Sequence, residues 1–169
     1  MAARRAKGFG MKVLYNKRER DENAEAELGI QFAELETLLS NSDFVSLHIP
    51  LTAETKHLIS GPELSKMKPS AFLINTARGG IVDEHALVGA LKSGKIAGAA
   101  LDVHENEPEM NPELLLMENV ILTPHVASAT IEAREKMTEL AIDAIVKALK
   151  GEKPENLVNP ELWEAKGRK

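Results

Sequence analysis

Residues 71–87 read AFLINTARGGIVDEHAL, and they place a permanently charged arginine where an apolar run stops. Residues 71–75 are short, apolar and bounded by polar punctuation, which is the pattern of a buried strand. Thr76-Ala77-Arg78-Gly79-Gly80 breaks the run, and an amphipathic helix is expected over 84–93, with Asp83 at its N-cap and Gly94 where it closes. Strand, polar turn and helix in that order make half of a parallel β-α unit.

The same alternation continues on both sides. Strands are expected over 12–15, 30–32, 44–47, 97–101 and 120–122, and helices over 33–39, 62–67 and 130–150. Ser60 and Glu63 fit a capping box with Pro62 in the first turn, and Gly151 closes the last helix. Strands that are apolar on both faces and alternate with helices predict an α/β fold, a parallel sheet covered on two sides. The opening AARRAKGFG reads as the end of a helix with no strand before it, and the polar segment from Gly151 reads as a connector or arm.

Composition bounds the function. With 169 residues, 43% of them hydrophobic, there is enough apolar material for one domain with a core and too little length for two ordinary ones. The net charge of −5, with charges of both signs mixed along the chain, argues against a nucleic-acid footprint. There is no cysteine, which excludes disulfide and thiolate chemistry. The five histidines show no metal-ligand spacing. No apolar run approaches a membrane span and no secretory leader precedes the first strand, so no membrane partner and a cytoplasmic location are expected.

Ligands of open parallel sheets bind beyond the carboxyl ends of the strands. The polar residues at those ends are Asn16-Lys17-Arg18, His48-Ile49-Pro50, Thr76-Ala77-Arg78, Asp102 with the acidic loop HENEPE, and Pro124-His125. A guanidinium presents two parallel donors to a carboxylate and keeps its charge at any working pH, so Arg78 suits an anion, with Gly79 and Gly80 letting backbone approach a ligand closely. His125 is suited to proton transfer, with Glu105 or Glu107 as the carboxylate that orients its ring. Asp102 also fits a turn, and Lys17 and Arg18 fit either a phosphate contact or a solvated charged turn with Glu19, Asp21 and Glu22. Arginine, histidine and carboxylate together suit a 2-keto acid, whose carboxylate must be fixed and whose carbonyl oxygen must receive a proton as hydride reaches carbon.

The blocks SDFVSLHIPLTAETKHLI, MKPSAFLINTARGGIVDEHAL, GAALDVHENEP and NVILTPHVASAT occur in the order found in the D-isomer-specific 2-hydroxyacid dehydrogenases, and the chain resembles the nucleotide-binding domain of that family from Ala3 to about Asn159. The similarity is nearest to its glyoxylate and hydroxypyruvate reductases, with phosphoglycerate dehydrogenase a near relative. The resemblance implies a Rossmann-like, doubly wound parallel sheet and the catalytic residues Arg78, Glu107 and His125. It implies cofactor contacts at His48, Ile49 and Pro50, at Thr76, Ala77 and Arg78, at Asp102, and at His125, Val126 and Ala127. The implied reaction is hydride transfer between NAD(P)H and a small 2-keto acid, in a homodimer.

Three departures from the family pattern qualify this. Ala127 stands where most members have glycine. Asn16, Lys17 and Arg18 stand where NAD-preferring members carry a carboxylate for the ribose hydroxyls, which favours NADP over NAD. The family's first strand and its glycine-rich GxGxxG loop would precede AARRAKGFG, so residues 1–150 are expected to form a partial dinucleotide-binding domain lacking both. Residues 151–169 would then be a tail toward an absent substrate domain. A sheet without its middle strand must pair across the gap, borrow a strand or expose edges. The alternative function is a non-catalytic fragment, or an NAD-binding interaction module of the corepressor type.

Overall fold

The computed structural model describes residues 1–165, and the expected tail beyond them, 166–169, lies outside the described residues. The chain forms two compact units, Met1–His125 and Val126–Lys169.

The first unit begins with α1 (Ala2–Gly8), β1 (Leu14–Tyr15), α2 (Glu22–Leu28), β2 (Gln31–Phe32) and α3 (Leu35–Asn41). It continues through β3 (Phe44–Leu47), α4 (Gly61–Lys66), β4 (Phe72–Asn75), α5 (Glu84–Lys92), β5 (Gly98–Leu101) and β6 (Val120–Leu122), with single 3-10 turns at Gly79–Ile81 and Leu114–Leu116. All strand pairs are parallel. They fall into a four-stranded sheet ordered β3-β4-β5-β6 and a separate two-stranded sheet, β1-β2. The strands do not pair across the gap: the outer edges of β3 and β1 have no strand partner among the described residues.

The four-stranded sheet holds the core. Val45 and Leu47 on β3, Leu73 on β4 and Ala99 and Leu101 on β5 bury the face packed by Leu39 of α3, Leu64 of α4 and Leu87, Val88 and Leu91 of α5. The caps place these helices. The Asp83 carboxylate accepts the Ala86 N–H at 3.0 Å, and the Glu63 carboxylate accepts the Ser60 N–H at 3.2 Å and its hydroxyl at 2.7 Å. Gly98 of β5 is required by close approach, since a Cβ there would lie 2.5 Å from the Asn119 carbonyl oxygen and 2.9 Å from the Phe72 ring. On the other face Phe44 and Phe72 stack at 5.8 Å, and Phe44, Phe72 and Ile121 are exposed.

Element bounds differ from expectation mainly in the first 33 residues. β1 and β2 shrink to two residues each, and α2 occupies a stretch where no element was expected. The reason is local: Asp21 caps α2 through the Ala24 N–H at 3.0 Å, and Glu22 and Glu25 sit in its first turn, where the helix dipole favours anions. None of its residues is buried, so it carries no apolar stripe that a periodicity reading detects.

The second unit holds α6 (Ile131–Leu149) and α7 (Pro160–Ala165). α6 is capped by Thr130, whose hydroxyl accepts the Ala133 N–H at 3.1 Å, and it buries none of its residues. The segment read as a connector contains α7, with Trp163 buried on it. No helix among the described residues is long and apolar enough to cross a membrane.

Candidate active site

The register of the four-stranded sheet aligns the strand ends. Leu47 pairs with Asn75, Asn75 with Leu101 and Leu101 with Leu122, so His48, Thr76, Asp102 and Thr123 follow one another along a single edge. Asn75 shapes the turn beyond β4. It is buried at 1% exposure; its amide nitrogen donates to the Arg78 carbonyl at 2.9 Å and its amide oxygen accepts the Ala77 N–H at 3.1 Å. The turn folded around that amide leaves Thr76 and Arg78 exposed, the guanidinium donating to the Ala77 carbonyl at 2.6 Å. Gly79 lies directly on the next loop: a Cβ there would sit 2.0 Å from the His104 carbonyl carbon and oxygen. The close approach expected toward a ligand is, at Gly79, an approach to the protein's own backbone.

The loop after β5 carries the carboxylate that meets His125. Asp102 is buried; its carboxylate accepts the Thr123 hydroxyl at 2.5 Å and its carbonyl accepts the His125 N–H at 2.8 Å. His125 is held at φ 54°, a left-handed conformation that costs a non-glycine residue about 1–3 kcal/mol and persists only where surrounding contacts impose it. Its Nδ1 lies 2.8 Å from Glu107 Oε2, and Glu107 Oε1 accepts the His104 N–H at 2.9 Å. A carboxylate only accepts, so Nδ1 carries the hydrogen and Nε2 is the ring nitrogen outside this pairing. The hydrogen bond from His125 holds the Glu107 carboxyl below its usual range, with help from the His104 N–H and against the opposing effect of desolvation. The pair is open to solvent, the side chains being 44% and 36% exposed.

Of the two carboxylates that residue chemistry offered to His125, Glu105 goes elsewhere. It lies 2.6 Å from Nε2 of His57, the other non-glycine residue of the described chain with a positive φ, at 52°. Arg78, Gly79, Glu105 and Glu107 line an open cavity of about 580 Å³ together with Leu51, Thr52 and Lys56.

The remaining expected positions are dispersed. Asn16, Lys17 and Arg18 follow β1 in the two-stranded sheet. The Asn16 amide donates to the Ala33 carbonyl at 2.9 Å, Lys17 pairs with Asp21 at 3.2 Å, and Arg18 is exposed with no ion pair among the described residues. His48 Nε2 lies 2.9 Å from the Ser46 hydroxyl, and the Pro50 carbonyl accepts the Thr55 hydroxyl at 2.7 Å. Ile49 is half-buried against the core. Val126 and Ala127 fall in the second unit. Lys56, His57, Asn75 and His104 were missed as site residues. Asn75 had a readable signal, an amide closing an otherwise apolar strand, whereas nothing local marks His57 or Lys56.

Residues 1–127 match the family described as D-isomer specific 2-hydroxyacid dehydrogenase, NAD binding domain. The chain belongs to that family. A glyoxylate reductase from Thermococcus litoralis is 56% identical over 160 residues, covering 95% of this chain and 48% of its own length. The solved NADPH-dependent glyoxylate/hydroxypyruvate reductase of Sinorhizobium meliloti, in complex with NADP and malonate, has a TM-score of 0.80 at 40% identity, over 86% of this chain and 44% of that one. The D-lactate dehydrogenase of Lactobacillus jensenii with NAD+ has a TM-score of 0.84 at 31% identity, over 92% of this chain and 51% of that one. The chain therefore spans about half the length of the curated 2-hydroxyacid dehydrogenases it matches.

Proposed function

We propose that the protein to which this chain belongs reduces a small 2-keto acid, glyoxylate or hydroxypyruvate, with NAD(P)H. The observation that carries this reading is the 2.8 Å pairing of His125 Nδ1 with Glu107 at the edge where the strand ends align and the Arg78 turn projects. Names of relatives such as glyoxylate reductase support it over an interaction module.

In this reading the Arg78 guanidinium holds the substrate carboxylate through two parallel charge-assisted hydrogen bonds. His125 delivers the Nε2 proton to the keto oxygen, and Glu107 holds the ring and stabilises its charged form before transfer. A nicotinamide held beside the Thr76-Ala77-Arg78 turn and His125 would supply the hydride for the carbonyl carbon, and with the proton from His125 the product would be a 2-hydroxy acid.

The fit to a dinucleotide is partial within this chain. The exposed Thr76-Ala77-Arg78 turn, Asp102 and His125 suit the nicotinamide end, followed by Val126 and Ala127, and His48-Ile49-Pro50 suit the base of the nucleotide. No G-x-G-x-x-G loop for the pyrophosphate occurs in the 169 residues. Lys17 is engaged by Asp21, which leaves Arg18 as the cation for a 2'-phosphate and favours NADP. We take residues 1–150 as the partial nucleotide-binding domain and the assembled protein as a homodimer.

The test is steady-state kinetics of the complete protein with glyoxylate and hydroxypyruvate, each with NADPH and NADH. Arg78→Ala should raise KM roughly ten- to a hundred-fold, the loss of charge-assisted hydrogen bonds. His125→Ala should lower kcat by roughly 10²–10⁴. Unchanged kinetics in both variants would overturn the reading, and equal efficiency with both cofactors would remove the preference for NADP.

A further inference from the structure

Glu84 is the first residue of α5, where a carboxylate gains from the helix N-terminus even when fully solvated. It is nevertheless buried at 6% exposure, a position that costs several kcal/mol for a charge without compensating partners. Its partners lie in the loop that carries Glu107. Glu84 Oε1 accepts the Glu105 N–H at 2.8 Å and stands 4.0 Å from His104 Nδ1, while the Glu84 N–H faces Glu105 Oε2 at 3.5 Å.

The preceding N–H of the same loop, that of His104, donates to Glu107. Two successive N–H groups are thus divided between two carboxylates, one buried on α5 and the other paired with His125. The peptide between His104 and Glu105 is confined on a further side by Gly79, and the Glu105 side chain is held by His57.

We propose that Glu84 is a positioning residue: it fixes the His104–Glu105 peptide so that the His104 N–H points at Glu107 and presents that carboxylate to His125. This rests on reading Glu107 and His125 as the proton-transfer pair. A carboxylate serving only to cap α5 would not need burial, because Asp83 already accepts the Ala86 N–H.

The test is the carboxyl ¹³C titration of Glu107 by NMR in this 169-residue chain, with folding checked by circular dichroism. Glu84→Gln keeps an oxygen that accepts the Glu105 N–H, and the Glu107 midpoint should stay where it is in the parent. Glu84→Ala releases the peptide, and the midpoint should rise toward the ordinary carboxylate range as the His104 N–H turns away. If Glu84→Ala does not fold, Glu84→Asp, one methylene too short to reach the peptide, takes its place with the same expected rise. An unmoved midpoint in the folded Ala or Asp variant overturns the proposal and leaves the reading of the site intact. A raised midpoint alongside unchanged kinetics in the Arg78 and His125 variants overturns the reading of the site and with it the positioning role, leaving only a structural hold of Glu84 on the His104–Glu105 peptide.

Discussion

At Gly79 and Gly80 two adjacent glycines do different work. A Cβ on Gly79 would lie 2.0 Å from the His104 carbonyl, backbone that moves only by displacing the loop that bears Glu107. A Cβ on Gly80 would meet the flexible Leu51 side chain at 3.3 Å. Gly79→Ala should therefore destabilise by about 1–3 kcal/mol, as overpacking does, and Gly80→Ala by less than about 1 kcal/mol, measured by urea unfolding. Equal losses would show that the His104 loop yields freely. The need for Gly79 was legible in ARGG only as closeness to something, because a sequence carries no record of which distant backbone will arrive there. The places of Arg78 and His125 beyond strand ends were legible because the apolar runs before them mark where β4 and β6 stop. Residue chemistry left Glu105 and Glu107 open, because two carboxylates two residues apart on a loop are separated only by how that loop folds.

Elements with an apolar stripe and a capping residue were legible close to their ends: β3 and β6 fall at the expected residues, and α5 begins at Glu84 as Asp83 indicated. α2 was not, because polar contacts rather than burial hold it. Arg20 Nε and Nη2 donate to the two oxygens of Glu25 at 2.8 and 2.7 Å, and the Tyr15 hydroxyl donates to Glu25 at 2.7 Å while accepting the Asp21 N–H at 2.8 Å. The Arg20 hydrogen bonds, then that of Tyr15, pull the Glu25 carboxyl down to about 2 from an ordinary value of 4.5. A carboxylate with a depressed folded-state pKa adds stability that is complete above its unfolded value and is lost as pH falls through the folded value. The stability gap between the parent and Glu25→Gln should thus be constant above about pH 5, shrink below 4.5 and vanish near pH 2. Urea unfolding of both across that range checks it, and a gap that ignores pH would show that Glu25 acts through packing alone.

Across the first unit, stability is divided as the sheets are. The hydrophobic core joins α3, α4 and α5 to β3, β4, β5 and β6, and no residue before Leu35 belongs to it. α1 and α2 bury nothing, and β1 and β2 hold each other by a short ladder and an edge-on contact of Tyr15 with Phe32 at 5.6 Å. A two-stranded sheet is marginal by itself, and opening this one leaves the core cluster intact. Native-state hydrogen exchange should therefore find two levels of protection. The amides of Gln31 and Ala33, bonded to the Val13 and Tyr15 carbonyls at 3.0 and 2.9 Å, should exchange through a partial opening. Those of Ala99 and Asp102, bonded to the Asn119 and Asn75 carbonyls at 3.1 and 2.9 Å, should exchange only with the core. A difference of at least roughly tenfold in protection, equivalent to about 1.4 kcal/mol, is expected. Equal protection would mean that the β1-β2 sheet unfolds with the core as one cooperative unit. In that case the turn bearing Arg18 would be as rigid as the edge that carries Arg78 and Glu107.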